Sequence, residues 1–211
     1  MRKVLLFSLL IFSASLKAQP GLFVSYHNLE SSYWNLIDPS GPRFFQHGFG
    51  AGFQYRIPFY GNSFAFLPSL GYGYFEQMTS ENGLNKAHYL QLRGGIRAFP
   101  MEFLLDCDCP VYKKGVFAEA FLGWSRWDLV HKEADVQVAD VANAPLMGLG
   151  AGVLIPFGKH VVVSPIFRYT YYPSVTWEGL NTLKNPNTDP FFREETFFRQ
   201  MSFEIHVQFE R

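Results

Sequence analysis

Phe49–Phe75 reads FGAGFQYRIPFYGNSFAFLPSLGYGYF. Phe49, Ala51, Phe53, Tyr55 and Ile57 share one parity, and Gly50, Gly52, Gln54 and Arg56 the other. Successive side chains of a β-strand point to opposite faces, so this spacing predicts a strand that is apolar on one side and polar on the other. The alternation recurs in eight segments: Gly21–Asn28, Phe44–Phe59, Ser63–Gln77, His88–Leu105, Val116–Val130, Pro145–Phe157, Val161–Val175 and Thr196–Glu210. Joints 60–62, 106–115 and 158–160 are on average the shorter class, and 29–43, 78–87, 131–144 and 176–195 the longer, more polar one. Strict alternation of short and long joints predicts an all-β, closed, up-and-down antiparallel barrel, with turns at one rim and loops at the other.

The faces sort in the same way elsewhere. Leu90, Leu92, Ile96 and Ala98 oppose Gln91, Arg93, Gly95 and Arg97; Met147, Leu149, Ala151 and Val153 oppose Gly148, Gly150 and Gly152; Phe203, Ile205, Val207 and Phe209 oppose Glu204, His206 and Gln208. A ring of about eight strands is filled by its own side chains. Arg56, Arg93, Arg97 and Arg168 on the polar parity then need partners, for which Glu119 and Glu204 stand on the same parity, because an unpaired buried charge is costly. A soluble barrel of the opposite sense, apolar within, shares the alternation. Aromatic residues at the segment ends favour the membrane: Trp124, Trp127, Tyr171, Tyr172 and Trp177 toward the long-joint rim, and Phe59, Tyr60, Phe64, Phe103, Tyr112 and Phe157 toward the other.

Residues 1–18, MRKVLLFSLLIFSASLKA, combine Arg2 and Lys3, an apolar run from Val4 to Phe12 and small residues before Ala18. They are expected to be a secretory signal peptide cleaved near Ala18–Gln19, leaving 19–211 as one barrel domain. Cleavage removes three of the 18 basic residues (Arg2, Lys3, Lys17) and no acid, so the mature chain is mildly acidic and carries no basic face for nucleic acid. Aromatic residues at 18% beside 18 glycines suit a barrel better than a helical core, since no later run reaches the length of a spanning helix.

On these features the chain resembles the small eight-stranded outer-membrane barrels, the porin-like and OmpA/OmpX-like group, in the style of its Bacteroidetes members. The last strand, FEIHVQFER, resembles the carboxy-terminal signal read by the barrel-assembly machinery, although Glu210 and Arg211 follow the last aromatic. The resemblance implies residence in the bacterial outer membrane among lipid and lipopolysaccharide. It also implies a periplasmic amino terminus and short turns, with long loops outside.

Small barrels include enzymes that act on lipid A by serine or histidine chemistry, for which His27, His47, His88 and His131 near the long-joint rim, with Ser25, Asp38 and Asp128, are the candidates. Their parities disagree, no His-x-Ser pair occurs on a strand, and no HExxH or phosphate loop is present. No catalytic residue, metal or cofactor is expected. Cys107 and Cys109, in Asp106-Cys107-Asp108-Cys109, are expected to form a local disulfide in an oxidising compartment. In the joint Thr176–Glu195, Phe191 and Phe192 are the candidates for contact with an envelope protein or lipid. The resulting expectation is a non-enzymatic barrel that supports envelope integrity or presents its loops. A lipid A modifying enzyme and a narrow channel are the alternatives.

Overall fold

The computed structural model describes residues 18–31, 34, 46–59, 63–78, 84–100, 115–133, 136–180 and 194–209. They form the strands β1 (Gln19–Ser31), β2 (Gly48–Phe59), β3 (Phe64–Met78), β4 (Leu84–Ala98), β5 (Val116–Glu133), β6 (Val136–Val153), β7 (Ile155–Phe157), β8 (Val161–Thr176) and β9 (Glu195–Phe209). Apart from β6 and β7, chain neighbours pair antiparallel, β1 pairs with β9, and both β6 and β7 pair with β8, so the sheet closes on itself. β6 and β7 are one stave. Gly152 faces Ile166 and Ile155 faces Val163 in a continuous register, and the Leu154 N–H between them donates to the Gly115 carbonyl at 2.6 Å. The result is a closed antiparallel barrel of eight staves.

Prolines account for the irregularities, since they have no N–H to give to a ladder. The β2–β3 register passes from Gln54–Ser69 to Ile57–Phe66 with a gap beside Pro68. The β8–β9 register shifts between Tyr172 and Val175, the span that holds Pro173. Followed from Gly21 through Gln54, Ser69, Arg93 and Gly123, and on around the ring to Phe198, the register returns to β1 at Ser31. The staves are therefore tilted, and their inward side chains interdigitate at staggered heights.

The two faces part sharply. Phe53, Leu92 and Leu122, outward at mid-strand, are 61%, 62% and 66% exposed, whereas inward Arg93, Arg97, Glu119, Arg168 and Glu204 are each 4% exposed or less. Outward charges on the strands (Glu30, Glu76, Lys86, Arg126, Asp128, Lys132, Glu195 and Arg199) all stand at the end that bears joints 32–47, 79–83, 134–135 and 177–194. A barrel with this apolar girdle is stable where the girdle meets hydrocarbon, and the arrangement excludes the soluble barrel of opposite sense.

Two expectations about the joints are corrected. β6 starts at Val136, not Pro145, and its ladder with β5 runs to Glu133–Val136, so 131–144 is hairpin rather than loop. β4 ends at Ala98, so 99–115 is the connection to β5, and short and long joints do not alternate. The cause of the first error is physical. Beyond the apolar girdle the outward residues Gln137, Ala139 and Asn143 are no longer lipid-like while inward Ala142, Ala144 and Leu146 are buried, so the strand continues after its membrane pattern has reversed.

Candidate functional site: a filled lumen

At mid-height the lumen holds a chain of charges contributed by four staves. Arg168 of β8 ion-pairs with both Glu119 of β5 and Glu204 of β9. Arg97 of β4 adds Nε and Nη2 to Glu119 Oε2 at 3.3 and 3.0 Å, and Arg93 adds Nη1 to Glu204 Oε1 at 3.2 Å and Nε to Ser69 Oγ at 3.2 Å. His206 Nε2 lies 2.8 Å from Glu204 Oε2, and Arg168 Nη2 donates to Gln54 Oε1 at 3.5 Å. The order Arg97–Glu119–Arg168–Glu204–Arg93 thus alternates in sign, which is how charge persists out of reach of water. Aromatic faces complete the solvation: Arg97 lies 3.8 Å over the Phe117 ring, and Arg93 and Arg168 each lie 5.6 Å from Phe121. Arg56 stands nearer the opposite end, donating to Gln19 Oε1 at 3.3 Å with its guanidinium over Phe99 at 5.1 Å.

Above the charges, one histidine collects a second polar network. Tyr172 O–H donates to Gln200 Oε1 at 2.6 Å, which turns Gln200 Nε2 toward His27 Nδ1 at 2.7 Å. An amide N–H makes Nδ1 an acceptor, so the ring proton sits on Nε2, facing Ser25 Oγ at 2.8 Å and Tyr89 Oη at 2.7 Å. The contact is possible because Gly50 and Gly73 carry no side chain: a Cβ at Gly50 would press on His27 and Ser25, and one at Gly73 would fall inside the Tyr89 ring. Ser25-Tyr26-His27 therefore brings a serine and a histidine together, in the reverse of His-x-Ser order. Its tautomer is wrong for nucleophilic catalysis. A base that activates serine must accept at Nε2, with an anion orienting Nδ1, and here Nε2 donates and an amide occupies Nδ1.

Toward the charged rim the lumen is closed by rings packed mostly edge to face. Tyr89 and Trp127 centroids are 4.7 Å apart, Trp127 meets Tyr172 and Phe198 at 5.3 Å each, and Trp34 meets Phe198 at 5.2 Å and Trp177 at 5.3 Å. Trp127 Nε1 donates to Ser125 Oγ at 2.9 Å, so the indole is satisfied without water. At the other end Phe99, Phe117 and Ile166 form a second cluster with Leu154. Beside Arg93, Glu119 and Arg168 remains a space of about 10 Å³, room for roughly one water.

An apolar girdle, a charged interior and closure by eight staves are the features of one membrane architecture, and known folds agree. The chain superposes on the crystal structure of Neisserial surface protein A with a TM-score of 0.51 at 13% identity, over 92% of this chain and 97% of that one. It matches Ail, the attachment invasion locus protein of Yersinia pestis, with a TM-score of 0.52 at 9% identity over 91% and 96%. The chain has the fold of the small outer-membrane β-barrels. The β-domain of the Bordetella autotransporter BrkA also matches, with a TM-score of 0.53 at 9% identity over 92% and 100%. No family model matches the chain, and no curated protein sequence does.

Within this outer-membrane type of barrel, the belt expected at the charged rim is corrected. Trp124 and Tyr171 face outward, but Trp127, Tyr172 and Trp177 are fully buried and build the lumen's lid. Tilted staves bring their inward rings to a common level, which adjacent sequence positions do not reveal. The rim histidines stay dispersed: Tyr26 bonds His47 and Tyr72 bonds His88 on the outer face, while His131 is buried against Asn85 at 2.6 Å. Among the described residues no three His, Cys, Asp or Glu side chains converge as metal ligands would. The segment 1–17, the pair Cys107 and Cys109, and Phe191 and Phe192 lie outside the described residues.

Proposed function

We propose that the chain is a non-enzymatic outer-membrane barrel whose filled body serves as a rigid mount for the joints at its charged rim, which meet an envelope protein or lipid partner outside the cell. The observation that carries this is the continuous filling of the lumen. Aromatic lid, His27 network, charge chain and Phe99 cluster follow one another between the rims. Such an interior gives solute no path, and its serine and histidine sit in an unreactive tautomer. We place the charged rim outside, with 99–115 in the periplasm and Cys107–Cys109 as a disulfide there. The strand β9 is the segment the assembly machinery would engage. In this reading 1–18 is removed on export, and lipopolysaccharide surrounds the outer half of the girdle.

The test is made on protein purified from native membranes. It should fractionate with outer membrane, migrate faster on an unheated gel than on a heated one, show little steady conductance in planar bilayers and release no acyl chains from lipid A. Recovery as a soluble periplasmic monomer defeats the placement. Large single-channel steps, or lipid A turnover, defeat the scaffold reading.

A further inference from the structure

The girdle is not evenly padded. On its outer face across β3 to β8 runs a furrow of about 780 Å³, floored by Gly94 and Ala120 and walled by Phe66, Leu122, Met147 and Tyr171 among others. The sequence leaves it open rather than being forced to. A Cβ at Gly94 would meet only the Phe66 ring, at an ordinary 3.7 Å, so neither the lumen nor the backbone requires glycine there. The lining is almost wholly apolar, and polarity enters at the end nearer the charged rim. There Tyr171 is the cross-strand partner of Arg199, whose guanidinium lies over Phe197 at 5.2 Å, and Phe197 in turn lies 6.0 Å from Tyr171. Among the described residues Arg199 has no carboxylate in ion-pair range, Glu30 across the β1–β9 ladder included.

We propose that this furrow retains one phosphate-bearing, acylated lipid, its chain lying along Gly94 and Ala120 and its headgroup held at Tyr171 and Arg199. An apolar trough with a cation at one lip matches a molecule that is apolar along its length and anionic at one end. Moving a methylene from bulk lipid into the furrow gains no hydrophobic energy, since both surroundings are apolar; only close packing and the headgroup can favour residence. Selectivity therefore falls on Arg199, at about fivefold for one interfacial basic residue. The proposal rests on the membrane placement above, which heat-modifiable migration tests separately, and it is independent of what the rim joints bind.

The experiment uses the full-length barrel in nanodiscs of phosphatidylcholine containing phosphatidylglycerol, followed by native mass spectrometry. One phosphatidylglycerol per barrel should survive release from the disc. Arg199→Gln should cut its retention about fivefold, and Gly94→Leu, which fills the trough, should abolish it, with both variants still heat-modifiable. Brominated phosphatidylglycerol should quench Trp124 in the unmutated protein more strongly than brominated phosphatidylcholine; Trp124 is 53% exposed, while Trp34, Trp127 and Trp177 are fully buried. Equal retention or equal quenching by the two lipids overturns the proposal. So does retention unchanged in either variant, or a dimer cross-linked through this face.

Discussion

Two glutamates in this barrel each face a cation, and they do different things. Glu119 meets Arg97 at 3.0 Å with both side chains 1% exposed or less, whereas Glu76 meets Lys86 at 3.6 Å with 40% and 38% of those side chains exposed. At the rim, water solvates either charge alone, and holding two long side chains together consumes much of the attraction. In the lumen bulk water is excluded, so each charge depends on its neighbours, and Glu119 serves Arg168 as well as Arg97. The lesson is that the interior pairs are worth less for their attraction than for the penalty of breaking them.

Four substitutions test that contrast, in descending order of effect. Glu119→Ala leaves Arg97 without its carboxylate and takes one of two from Arg168, and it should lower the unfolding free energy in detergent by about 3–5 kcal/mol. A loss close to that of a rim substitution would erase the distinction between the two sites. Phe53→Arg sets a guanidinium on the opposite face of the strand that carries Arg56, and it should lower stability by about 2–4 kcal/mol in lipid. Equal stability would mean that this face does not meet hydrocarbon. Tyr89→Phe removes one neutral hydroxyl from the His27 network, for which denaturant titration should show a loss of about 1–1.5 kcal/mol, between the charged interior and the rim. Glu76→Gln should shift the midpoint by an amount within about 0.5 kcal/mol; a larger shift would show that the rim pair is not governed by water.

Much of this was legible in the chain. Arg93, Arg97, Arg168, Glu119 and Glu204 were placed in one lumen by parity alone, because a period of two survives any amount of sheet twist. The pairing among them was not legible. Arg168 and Glu119 are 49 residues apart and meet because β6 sets both opposite Gly150, which puts no side chain between them. The His27 network was missed for a similar reason: Ser25 and His27 are near in sequence, but Gln200, which settles the tautomer, arrives from β9.

By itself the sequence determined the strands within the girdle, their two faces and which face meets lipid, since these follow from alternation and from the kind of residue that alternates. Tertiary structure decided what happens beyond the girdle. There Trp34, Trp127, Tyr172, Trp177 and Phe198 turn inward to cap the lumen. Once a strand leaves hydrocarbon its outer face can be polar and its inner face apolar, so the same local pattern carries the opposite meaning. Only the height of each residue on a tilted, closed sheet tells which meaning applies.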